Sequence, residues 1–130
     1  MIIWIASYPK SGNTWVRSFL TAYYFCENGI FDINKLNLIE DYPNKQFFKE
    51  KVKQGEIHKH WETSQKDIRD QKKVKFLKTH NSLITAFGND FTKPEYTLGV
   101  IYVIRDPRNV ITSVKNHNDL DSYDEALKFM

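Results

Sequence analysis

The sequence predicts an α/β fold, a mostly parallel sheet with flanking helices, and three observations carry that expectation. Apolar runs of strand length occur at residues 2–6, 74–80 and 97–106. Helical spacing follows the first and the last of them. Charged residues gather where each run ends.

The first run, IIWIA, is continuous and rich in isoleucine, as a strand covered on both faces would be. The turn SYPKSGNTW follows at residues 7–15. From residue 13 to 26, Trp15, Val16, Phe19, Leu20 and Tyr23 fall on one side of a helix. Ser11 or Asn13 is the candidate N-cap. Residues 32–73 are polar and irregular, with FFKEKVKQ (47–54) and WETSQKDIRDQKK (61–73) as short helical candidates. VKFLKTH is the second strand. TLGVIYVIRD is the clearest, because Val100 to Ile104 are apolar and mostly β-branched or aromatic. Asp106 and Pro107 then supply an N-cap and a first-turn proline, and Val110, Ile111 and Val114 the apolar face of the next helix. The closing DSYDEALKFM reads as a helix broken off in mid-course, so the chain is expected to be one domain, residues 1–130, that continues in a longer protein.

Composition narrows the classes. A chain of 130 residues holds one domain with a real core, and 41% hydrophobic with 15% aromatic residues excludes disorder. The net charge of +3 comes from interleaved acids and bases, which fits a small anionic ligand and not a nucleic acid. The basic stretches KEKVK and KKVK read as solvated faces. Cys26 is the single cysteine, so no internal disulfide forms and a reducing compartment is expected. No apolar run approaches the ~20 residues of a membrane span, and no basic residue precedes the N-terminal run as in a leader. A cytoplasmic protein without membrane contact is the expectation.

Ligands of parallel α/β sheets sit beyond the carboxyl ends of the strands. YPKSGNT, KTH and RDPR all fall there, so three separate segments converge on one edge. In the first, a tight turn feeding a helix N-terminus makes an anion site, with Lys10 as a mobile charge at its rim. The lysine precedes the single glycine, which does not match the Walker order. In the second, Lys78 and His80 share a strand face; a neutral imidazole takes a proton from a hydroxyl, and a neighbouring lysine stabilises developing negative charge. In the third, Arg105 offers a fork of donors suited to a terminal phosphate, and Ser113 lies two helical turns on. Each cluster alone has a plain structural alternative: a solvated turn lysine, a strand-end histidine bonded to a loop, an Arg105–Asp106 surface pair. HKH at 58–60 has two possible metal ligands but no carboxylate or cysteine to complete a site, so no metal is expected.

Together the segments resemble the sulfotransferases that use 3′-phosphoadenosine-5′-phosphosulfate (PAPS). SYPKSGNTW is similar to the family's 5′-phosphosulfate loop, usually YPKSGTTW. FLKTH resembles its KTH segment, and YVIRDPRNVITS resembles its 3′-phosphate segment, with Arg105 and Ser113 at the same separation of eight residues. The order of the three also agrees. The resemblance implies a P-loop-like sulfotransferase fold and assigns roles. Lys10 binds the phosphosulfate and assists departure of the bridging oxygen. Ser11, Gly12, Asn13 and Thr14 wrap the 5′ end, and Trp15 stacks on the adenine. Lys78 supports the transferring group, and His80 is the base for a small-molecule acceptor bearing a hydroxyl or an amine. Arg105 and Ser113 hold the 3′-phosphate, and PAP is the product.

Three departures stand out. Asn13 replaces the first threonine of the usual loop. KTHNS lacks the proline common after KTH in animal cytosolic members. The family's later Arg-Lys-Gly run has no counterpart, so the chain is expected to cover the N-terminal half. A module that binds PAP or PAPS without transfer is the alternative function, and it needs Arg105 and the loop but no base. The acceptor and the oligomeric state are not legible; His60 and Trp61 are acceptor-pocket candidates by location only.

Overall fold

The computed structural model describes residues 1–48 and 52–130. Part of the helical candidate at 47–54 therefore lies outside the described residues.

Four strands form the main sheet: β1 (Ile2–Ser7), β2 (Glu40–Asp41), β3 (Lys75–Thr79) and β6 (Thr97–Val103). Their order is β2-β3-β1-β6, and every pairing is parallel. The expected α/β class is the observed one. A small antiparallel pair, β4 (Thr85–Ala86) and β5 (Asn89–Asp90), was not anticipated from the sequence. It turns through Phe87 and Gly88, both at positive φ.

Helix α1 (Asn13–Phe25) follows β1, and α2 (Trp61–Asp70) precedes β3. Helices α3 (Pro107–His117) and α4 (Tyr123–Phe129) follow β6. Asp106 caps α3 as expected, its carboxylate accepting from the Arg108 N–H at 2.9 Å. The segment between α1 and β3 holds short 3₁₀ turns, among them Ile33–Leu38, Lys45–Phe47 and Gln54–His60.

The main core lies between the sheet and α2. Ile2, Trp4 and Leu77 meet Tyr42, Trp61, Ile68 and Phe91, all buried. Trp4 centres this cluster, its ring 5.3 Å from both the Tyr42 and the Phe91 ring. A smaller cluster of Val110, Val114 and Ala126 joins α3 to α4.

Helix α1 covers the opposite sheet face, where Tyr24 meets Phe76 at 5.1 Å. Its apolar stripe is not its most buried side, although Val16 and Leu20 within that stripe are half-buried. The buried residues are Asn13, Arg17 and Thr21, while Trp15, Phe19 and Tyr23 are each more than 70% exposed. The polar side goes inward because it is committed to hydrogen bonds. Arg17 donates to the carbonyls of Leu36 and Ile39 at 3.2 and 2.7 Å, and Asn13 donates to that of Ile5. The N-cap is also different from either candidate: it is Gly12, with no side-chain cap bond.

Candidate active site at the carboxyl edge of the sheet

The turn after β1 is built from two backbone inversions. Gly12 has φ of 104°, a left-handed conformation that L side chains adopt only with strain, although a Cβ there would meet nothing within 4 Å. Glycine is needed here for its backbone and not for space. Lys10 has φ of 64°, uncommon for a residue with a Cβ and a pattern that concentrates at functional turns. The turn delivers the chain into the start of α1, whose first N–H groups, on Asn13 and Thr14, have no acceptor within the helix. An anion there meets the positive end of the helix dipole.

Beyond the turn lies a cleft of about 590 Å³. Lys10, Gly12, Asn13, Thr14 and Trp15 line it from the turn and α1, Lys78 and His80 from β3 and the residue after it, and Arg105 and Ser113 from the loop after β6 and from α3. The first and third of these segments are tied directly across a separation of 95 residues, since Arg105 Nη1 donates to the Lys10 carbonyl at 3.0 Å. Ser11 is the expected site residue that does not line the cleft. It is buried, its N–H donates to the Tyr8 carbonyl, and it borders a neighbouring hollow with Val103, Pro107 and Val110.

His80 is held by its Nδ1. That nitrogen lies 2.8 Å from the Ser7 carbonyl and 3.3 Å from the Ser7 hydroxyl. A carbonyl only accepts, so Nδ1 carries a proton, and in the neutral ring this leaves the lone pair on Nε2. Lys78 is anchored too, its Nζ 3.2 Å from Asp41 Oδ2. Asp41 also faces Arg17 at 3.4 Å. Burial lowers the Arg17 pKa, and the Asp41 charge opposes that shift. The Arg105–Asp106 surface pair is not formed. Asp106 is taken by Arg108 in a forked contact of 2.6 to 3.2 Å, and those bonds hold its carboxyl below the usual range.

Sequence reading missed several residues here. His117 lines the cleft one helical turn after Ser113, a spacing that was available as a signal. Asp41 lies in a two-residue strand with no periodicity to announce it. Phe129 and Met130 also border the cleft, with Tyr8 Oη donating to the Met130 carbonyl at 2.7 Å. The histidines of HKH are engaged with rings: His58 lies 5.0 Å from Phe87, and His60 lies 6.0 Å from Phe48. Trp61 is a core residue, 5.2 Å from Phe91. Among the described residues no group of three or more His, Cys, Asp or Glu is placed to hold a metal ion. No described helix is long and apolar enough to cross a membrane.

Comparison with known proteins gives one finding. No curated protein and no solved structure matches the chain. The family model described as "Sulfotransferase domain" matches residues 2–128, which takes in all three segments of the cleft. With that match over nearly its whole length, the chain belongs to the sulfotransferase domain family.

Proposed function

We propose that the chain carries the donor-binding and base-bearing part of a PAPS-dependent sulfotransferase, acting on a small acceptor with a hydroxyl or an amine. The observation that carries this reading is the convergence of Lys10, Lys78, His80, Arg105 and Ser113 on one cleft. Two groups of donors contribute to its lining. The turn and helix start suit the 5′ end of the donor, and Arg105 with Ser113 suits a 3′-phosphate. Trp15, 73% exposed beside the cleft, offers a face for the adenine.

Transfer then needs little covalent work from the protein. His80 Nε2 accepts the acceptor's proton as its oxygen or nitrogen bonds to sulfur. The bond from sulfur to the bridging phosphate oxygen breaks, and its electron pair stays on that oxygen, leaving PAP. Lys10 meets the charge that develops there, and Lys78 meets the charge on the equatorial oxygens. The donor's mixed anhydride supplies the driving force. With Cys26 unpaired, a reducing cytoplasm is the working compartment of this reading.

Calorimetric titration of the chain tests the donor site, with PAP as ligand and 5′-AMP as control. PAP is expected to bind, AMP to bind far more weakly, and Arg105→Ala to lose roughly 10- to 100-fold in PAP affinity, the weight of charge-assisted bonds. Equal affinity for PAP and AMP would remove the assignment of Arg105 and Ser113. Binding without sulfuryl transfer to any phenol, sugar or amine acceptor would favour the non-catalytic module.

A further inference from the structure

We propose that Asn13 is a positioning residue for His80, acting through Ser7, an inference that rests on the reading of His80 as the base. Asn13 is 5% exposed and its amide is turned toward β1. Its Nδ2 donates to the Ile5 carbonyl at 3.0 Å and to Ser7 Oγ at 3.1 Å. The amide cannot be flipped: the Ile5 carbonyl only accepts, so the NH₂ group must face it. The buried Oδ1 on the other side has no partner.

Ser7 is the last residue of β1 and is itself 4% exposed. Its carbonyl takes the Nδ1 proton of His80, and its hydroxyl lies beside the same nitrogen. One side-chain amide therefore fastens the end of β1 at two points, residues 5 and 7, and that strand end sets where the imidazole sits and which of its nitrogens is basic. The family's usual threonine at this place has one hydroxyl proton, which serves one acceptor. Asparagine has two N–H donors and serves both. The substitution at Asn13 thus adds a hold on the base that the resembling loops do not have by this route.

Loosening that hold frees the Ser7 carbonyl from its place. The His80 ring then rotates or takes the Nε2–H form, in which the cleft-facing nitrogen has no lone pair for a proton. Asn13 exerts this effect without its side chain touching the acceptor.

The experiment is a long-range ¹H–¹⁵N correlation spectrum of the histidine rings in the whole chain near neutral pH, with His80 assigned through His80→Gln. The Nδ1–H form is expected to dominate for His80 in the parent chain. In Asn13→Ala the ratio of the two tautomers should shift several-fold toward Nε2–H, and Ser7→Ala, which keeps the carbonyl, should shift it less. The backbone amide spectrum reports whether each variant folds. Should Asn13→Ala fail to fold, Asn13→Ser, with one donor, makes the same decision and is expected between the two. A folded Asn13 variant with the parent tautomer ratio overturns the proposal. No donor or acceptor is present in this measurement, so it stands apart from the PAP titration, and either idea can fail alone. With transfer established, Asn13→Ala should lower kcat roughly 10-fold or more, and the tautomer ratio measured without donor separates that loss from any effect on donor binding.

Discussion

On one face of the sheet α2 turns Trp61 and Ile68 toward Trp4 and Leu77; on the other, α1 turns Asn13, Arg17 and Thr21 inward and leaves Trp15, Phe19 and Tyr23 in solvent. The two sides also differ in how their buried polar groups fare. On the α2 side a chain of bonds runs from Ser64 through Tyr42, Gln65, Thr92 and Thr97 to Trp4 Nε1, with distances from 2.6 to 3.3 Å. Among the described residues, Trp61 Nε1 and Glu40 Oε2 are the buried atoms on that side without a hydrogen-bond partner, and Glu40 Oε2 is ion-paired with Lys75. On the α1 side Asn13 Oδ1, Arg17 Nε and Thr21 Oγ1 are all buried without partners. The lesson is that α2 covers its face with apolar rings and a linked polar network, whereas α1 meets its face with polar side chains that bond to backbone carbonyls. Stability should therefore respond to different kinds of substitution on the two sides.

The largest expected effect is on the α2 side. Trp4→Ala removes a fully buried indole, two ring contacts and a bond to Thr97, and should destabilise by about 3–5 kcal/mol. Phe19→Ser is the matched substitution on the outer side of α1. Serine and phenylalanine have similar helix propensities, and Phe19 is 73% exposed, so the change should stay within about 0.5 kcal/mol. Urea unfolding of both variants measures the difference. Comparable losses at the two positions would mean that the outer stripe of α1 is covered in solution, and would break the comparison.

Arg17→Ala comes next. It takes the donor away from the Leu36 and Ile39 carbonyls and the partner away from Asp41, at a cost of about 1–3 kcal/mol. Phe19→Ser, on the apolar stripe of the same helix, is expected to do almost nothing by comparison. Hydrogen exchange at the 3₁₀ turn Ile33–Leu38 should quicken in Arg17→Ala if these bonds hold that turn against α1.

These contrasts also explain what was legible in the sequence. The parallel sheet was, because β1, β3 and β6 are runs of β-formers and the charged residues after them mark their carboxyl ends. The meeting of the three clusters at one cleft was legible for the same reason, since each lies within a few residues of a strand end. Helix α1 was legible in extent but not in orientation. Its periodicity defines an apolar stripe, and nothing local states that Asn13 and Arg17 have carbonyls of residues 5, 36 and 39 to satisfy. Strand β2 is two residues long and paired only through β3, so no pattern announces it. The link from Asn13 to Ser7 to His80 joins residues 73 apart and is a product of the register alone. Ser11 could not be placed from its polarity: its side chain is buried and borders a hollow beside the cleft.

The smallest expected effect is at high pH and belongs to the rim of the α2 side. Tyr96 Oη donates to Glu62 Oε1 at 3.3 Å, and the Arg69 guanidinium lies 5.3 Å from its ring. Its phenol is pushed up from 10.0 to about 12, by hydrogen bonding to Glu95 first, then by burial and the charges of Glu95 and Glu62. The folded chain thus holds this proton more tightly than the unfolded chain does. Its stabilising contribution is complete below the unfolded value, near 10, and is lost as pH rises through about 12. Lys93, raised by its bond to Glu62, and Tyr42, raised by burial, lose stabilisation in the same direction, so the three must be separated. Tyr96→Phe isolates the first: it should unfold with a shallower decline across that window, and its tyrosinate absorbance should lose one late-rising component. A decline as steep as the parent's would assign the alkaline loss to Lys93 and Tyr42. Phe19→Ser, on the far face, should keep the parent's alkaline profile unchanged, since no titrating group of that rim touches α1.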